Sequence, residues 1–173
     1  MNWNKTFGVL AIISLYSSIF ISIYISPWFN WMNNALSDLG NLSYGSASIF
    51  NFGLLISGLF LILYSIKVVA PHAPKTSYFL AFNGFCLQLV GLFCENYGII
   101  HFYVSVLLFS SLIFSSLAYF IERRCYLALI VLLEIPIWAL HFQGMLFKGV
   151  AIPEIISSFL MLPWLLKTMI NAT

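Results

Sequence analysis

The chain has very little charge: seven Lys and Arg and five Asp and Glu among 173 residues, 7% in all. Soluble globular domains carry about 25%. So few charges cannot coat a domain of this size, which excludes a cytosolic or secreted globular protein. The net charge of +2 is small and scattered, which excludes a nucleic-acid partner. Cysteine is sparse as well. Cys86, Cys94 and Cys125 show no CxxC spacing, and they read as small buried hydrophobes rather than a disulfide or zinc framework. There is no Gly-rich phosphate loop, no GxSxG, no HExxH and no low-complexity tail. Alternating apolar and polar strand patterns are also absent.

Apolar runs fill the space those absences leave. Hydrophobic residues make up 62% of the chain and aromatics 18%. About 20 apolar residues cross the hydrocarbon layer as a helix. Six segments qualify: 7–25, 47–69, 77–94, 99–121, 126–143 and 150–170. The first lacks a small-residue cleavage site and is read as a retained helix. Most connections are short, so successive helices must lie side by side. The exception is 26–46, rich in Trp, Asn, Ser and Gly, whose Trp28, Phe29 and Trp31 suit the headgroup zone. The expected fold is all-α, a single domain over 1–173: an integral membrane bundle of six transmembrane helices in the cell membrane.

Charge then orients the bundle. Six spans place both termini on one side, together with Lys5, Lys67, Lys75, Arg123, Arg124 and Lys167. Only Lys148 falls on the other side. Basic residues in short loops mark the cytoplasmic face, so both termini are expected there. The far, outer end then receives Asp38, Glu95, His101, His141 and Glu154. Glu134 falls near mid-membrane.

Charged groups inside a membrane persist when they pair, line water or perform chemistry. For Glu154, after Pro153, one reading is an ordinary helix start. Glu134 and His141 share a helix face about 10 Å apart along the axis. Glu134 reads either as a neutral carboxyl bonded to a neighbouring helix, with Gln88 as candidate partner, or as part of a proton or substrate path. Pro136 is expected to kink the helix beside it. His101 and Ser105, four apart, share a face of the fourth span. The sharpest reading is a metal site. Asp38, His101, His141 and Glu154 would supply two nitrogens and two oxygens to a catalytic zinc, with Glu95 as general base. The competing readings are interfacial histidines bonded to water or Glu95, and an anionic-lipid contact through Lys148.

Four motifs carry a family resemblance: LSDLG (36–40), IFNFGLLISG (49–58), VGLFCENYGIIH (90–101) and GVAIPEIISS (149–158). In order and spacing the chain resembles a family of small prokaryotic membrane proteins catalogued as domain of unknown function 998. Cys94 stands where that family's turn would have proline. The resemblance implies a six-helix membrane protein of uncharacterised activity. The family's recurrent polar positions match Ser37, Asp38, Asn51, Glu95, His101 and Glu154. A more distant similarity is to membrane hydrolases that include the alkaline ceramidases. Their HxxxH pattern is missing here, so no residue role carries over. The functional expectation is a site, with Glu95, His101 and Glu154 as candidate catalytic residues, that binds or hydrolyses a lipid-linked substrate in the outer leaflet. The alternative is a non-catalytic subunit of a membrane complex. The expected partners are membrane lipids.

Overall fold

A computed structural model describes residues 3–171. Helices run Trp3–Tyr24 (α1), Ala47–Tyr64 (α2), Pro74–Leu92 (α3), Ile99–Arg123 (α4), Glu134–Phe142 (α5) and Ala151–Asn171 (α6). No strand occurs among the described residues. Lys5–Tyr24, Ala47–Val69 and Ile99–Arg123 are long and apolar enough to cross a membrane. The helices α3 and α6 have 19 and 21 residues. Their buried faces carry polar groups, among them Thr76, Asn83, Ser157 and Thr168.

The fifth apolar segment differs from its expected single helix. It divides at Glu134 into a 3-10 stretch, Tyr126–Leu133, and the short α5. The division follows from Pro136, which has no N–H to return to Leu132. The Glu134 N–H is directed at the Leu132 and Val131 carbonyls, two and three residues back, rather than four. Eight residues of 3-10 and nine of α-helix span ~30 Å, against ~26 Å if all were α-helical.

Helices α1 to α4 pack against their sequence neighbours, while α6 lies on both the 3-10 stretch and α5. Helices α2 and α3 approach closely at Gly58 and Gly84, where an added Cβ on either would strike the other's backbone carbonyl. Small residues of this kind let apolar helices pack backbone to backbone.

The buried side chains form two groups, one toward each end. The first surrounds Trp164, which is fully buried, stacks on Tyr119 with ring centroids 4.9 Å apart, and donates Nε1–H to Ser116 Oγ at 2.9 Å. At this end the start of α1 meets the end of α6, with Lys5 Nζ 3.5 Å from the Ile170 carbonyl. Arg123, Arg124, Lys167 and His72 line one crevice of about 270 Å³ here. The second group holds Ile19, Leu36, Leu39, Phe50, Leu87 and Ile155. It supports the acidic residues at the opposite end.

All three cysteines are buried and free, as small hydrophobes are.

Candidate functional site

The connection between α1 and α2 folds back over the bundle end, and the sequence explains how. Asn30 and Asn34 close a turn, with the Asn30 N–H donating to Asn34 Oδ1 at 2.9 Å. A short 3-10 helix, Leu36–Gly40, follows. Asp38 Oδ2 reaches back to its start, accepting from the Ala35 N–H at 3.0 Å and from Asn34 Nδ2 at 2.8 Å. Asn51 on α2 holds the exit by donating Nδ2–H to the Gly40 carbonyl at 2.8 Å.

The chain leading into α6 is stitched to this connection by its backbone. The Gly149 N–H bonds the Met32 carbonyl at 2.8 Å, and the Ala151 N–H bonds the Asn34 carbonyl at 3.0 Å. Gly149 is required here because a Cβ would collide with the Asn34 backbone. That seam sets Glu154 beside the 3-10 helix, where its Oε2 accepts the Leu36 N–H at 2.6 Å.

Glu95 comes from the turn between α3 and α4. Asn41 Nδ2 donates to its Oε2 at 3.0 Å. Burial pushes the Glu95 carboxyl above its ordinary range. The Asn41 hydrogen bond opposes that, the nearby Asp38 charge adds to it, and His101 opposes it. Three carboxylates from three segments of the chain therefore lie within electrostatic reach of one another.

His101, in the first turn of α4, is buried. Its Nδ1 lies 2.7 Å from the Phe93 carbonyl, a group left free at the end of α3. A carbonyl only accepts, so Nδ1 carries a proton, and in the neutral ring Nε2 presents its lone pair. Ser105 Oγ lies 3.3 Å from Nε2 and donates to it when the ring is neutral.

These residues line a cavity of about 600 Å³ together with Glu134. Glu134 is 1% exposed, and neither of its carboxyl oxygens has a hydrogen-bond partner. Ser157 is close by on α6; its hydroxyl accepts Trp138 Nε1–H at 3.1 Å, which leaves its own proton able to turn toward the carboxyl. Ser157 lies one residue short of a helical turn beyond Glu154, so Glu134 sits roughly 4.5 Å deeper along α6. The mouth of the cavity lies on the side of the bundle, between α4 and α5. Exposed Phe102 and Val106 flank it on one helix, and Ile135 and Phe142 on the other. A second, apolar cavity of about 120 Å³ continues inward between the two core groups and shares Ser37, Ser105, Phe109 and Glu154 with the first.

Asp38, Glu95, His101 and Glu154 thus share one cavity, and His141 does not line it. His141 instead sets its ring edge-on to Trp138, with centroids 6.1 Å apart. Of the four residues expected to hold zinc, the fold brings Asp38, His101 and Glu154 to one cavity and leaves His141 outside it. Among the described residues no three His, Cys, Asp or Glu side chains are grouped to hold a metal ion. Both His101 nitrogens have protein neighbours at hydrogen-bond distance, and Asp38 and Glu154 each turn one oxygen onto a backbone N–H group. The expected Gln88–Glu134 bond is also absent, because Gln88 Nε2 donates to the Leu55 carbonyl at 3.2 Å.

Sequence reasoning missed two contributions. Glu134 belongs to the same cavity as the outer-end acids rather than to a separate stripe, and the asparagines of the long connection are its scaffold. Asn30 and Asn34, four apart in a turn, were the available signal.

The fold and cavity together define an all-helical bundle with membrane-length apolar helices and an acidic chamber at one end. The motifs quoted above supply that chamber: Asp38 from the first, Glu95 and His101 from the third, Glu154 from the fourth, and the Asn51 clamp from the second. The chain belongs to the family described as Protein of unknown function (DUF998), whose model matches residues 9–170. No curated protein and no solved structure matches it.

Proposed function

We propose that this is a six-span protein of the cell membrane, with both termini cytoplasmic, whose acidic cavity takes up an amphiphilic or lipid-linked molecule from the outer leaflet. The observation that carries the reading is the side-facing cavity of about 600 Å³, in which Asp38, Glu95, His101, Glu134 and Glu154 meet an apolar extension of about 120 Å³. An apolar chamber of that order stays dry and accepts hydrocarbon. The mouth between α4 and α5 gives a lipid a sideways route, and the carboxylates await its head. The basic residues gathered where α1 begins and α6 ends support the orientation. The stretched fifth segment supports the sixfold crossing, since ~30 Å matches the hydrocarbon thickness.

The test uses a diacylglycerol with a diazirine midway along one acyl chain, added to the protein in zwitterionic nanodiscs. Illumination should attach it mainly to peptides covering 102–113 and 134–142. Ser105→Trp, which fills the chamber, should suppress those attachments. Uniform labelling of every exposed helix face would sink the proposal.

The oriented His101–Ser105 pair favours a second reading, hydrolysis of an ester in the bound molecule. Ser105 Oγ would attack the ester carbonyl while its proton passes to His101 Nε2 and on to the departing alcohol. Water would then release the acyl group by the reverse proton route. An alkyl fluorophosphonate should modify Ser105 in the wild type and not in His101→Ala. Absence of that adduct from the wild type removes this reading and leaves the binding proposal standing.

A further inference from the structure

From the cavity's donors and acceptors we infer that its ligand is a long-chain amine bound as the ammonium cation. The inference rests on the proposed uptake of an amphiphile and names its chemical class.

Four carboxyl groups line the chamber, and no Lys or Arg does. An ionised carboxylate has about four acceptor sites and no donor. Asp38 receives two hydrogen bonds, Glu95 one, Glu154 one and Glu134 none. Every donor among these is a neutral amide, either backbone N–H or asparagine. The one basic ring present, His101, has both nitrogens occupied. The chamber therefore holds a surplus of acceptors, and a cation bound among its carboxyls would favour their ionised forms. The complementary ligand brings N–H donors and a positive charge. An anionic lipid head brings the opposite.

Glu134 is the independent observation. A side chain 1% exposed with two unbonded oxygens is rare, because an unsatisfied buried acceptor costs free energy. It faces the same cavity as the other carboxylates. An ammonium group there would satisfy it with charge-assisted hydrogen bonds. Aromatic rings complete the fit. Trp138 and Phe109 lie at the wall with centroids 5.0 Å apart, and Phe102 and Phe142 flank the mouth. Ring faces attract cations, and they remain indifferent to alcohols and repel carboxylates.

The experiment measures competition against the photoreactive diacylglycerol in nanodiscs, with decylamine, decanol and decanoate as competitors. Decylamine should suppress cavity labelling at concentrations at least roughly tenfold below the other two, the worth of one charge-assisted hydrogen bond. Glu134→Gln should erase about that tenfold advantage. Glu134→Leu guards against loss of folding, because it removes an unsatisfied group and should raise the thermal unfolding temperature while abolishing the amine preference. Equal or better competition by decanol or decanoate overturns the amine inference and leaves amphiphile uptake intact. Failure of the diacylglycerol to label the cavity at all removes both.

Discussion

The two ends of the molecule handle a carboxylate in opposite ways. At the basic end, Glu122 closes α4 against the start of α3. It accepts from the Lys75 N–H at 2.9 Å, the Thr76 N–H at 2.7 Å and Thr76 Oγ1 at 2.6 Å. Those N–H groups follow Pro74 in the first turn of α3, where helix donors are otherwise orphaned and the dipole favours an anion. At the other end Glu134 begins α5 and accepts nothing. One acid finishes a structure, while the other is left with its bonding capacity open inside a cavity. The difference separates stability from the proposed binding: a bonded, partly exposed acid ties two helices together, and an unbonded, buried one keeps its acceptor capacity open.

Mutations can break or sharpen this contrast. The largest expected effect is at the basic end, where Trp164→Ala empties the centre of the core and should cost about 3–5 kcal/mol in thermal unfolding of the detergent-solubilised protein. Equal loss from a large-to-small change at Phe109, on the cavity wall, would break the contrast. Next comes Glu122→Ala, which uncaps α3 and should cost about 1–2 kcal/mol. A stability change of the same sign from Glu134→Leu would show that both acids serve structure alone.

Proton competition sharpens the functional side. A bound ammonium favours ionised carboxylates, so amine binding must weaken as pH falls. Because Glu95 titrates above the usual carboxylate range, the weakening should begin at a higher pH than ordinary acids give. Asp38 from the connecting 3-10 helix, His101 from α4, Glu134 from α5 and Glu154 from α6 face the same chamber and share in the profile. Decylamine competition measured across pH reads this directly, and a pH-independent result contradicts the role given to the acids. The smallest effect is expected at Lys148, which is exposed. Lys148→Cys should change stability by less than about 0.5 kcal/mol. A membrane-impermeant maleimide should nonetheless reach it from outside intact cells, and labelling only after lysis would reverse the assigned orientation.

Much of the helix layout was legible in the chain. Each of the six apolar runs is helical, because in a chain this poor in charge only helices satisfy the backbone over such lengths. The split of the fifth run was half legible: Pro136 announced a disturbance, but nothing local distinguished a kink from the 3-10 stretch Tyr126–Leu133 before it. Of the site, the motif order marked Asp38, Glu95, His101 and Glu154. His141 falls outside the cavity, because the sequence gives depth along a helix but not rotation about its axis. The partner of Gln88 was misjudged for a similar reason, since the close approach at Gly58 turned that amide onto the α2 backbone.

Composition and hydropathy by themselves determined that this protein is helical, built of membrane-length segments, and charged differently at its two ends. These are one-dimensional properties, summed along the chain. Only tertiary structure decided which acids meet, that one of them goes unbonded, and that their chamber opens sideways between α4 and α5. Those outcomes depend on how each helix is rotated against its neighbours and on backbone seams such as Gly149 with Met32, and pairings of that kind leave no periodic trace in the sequence.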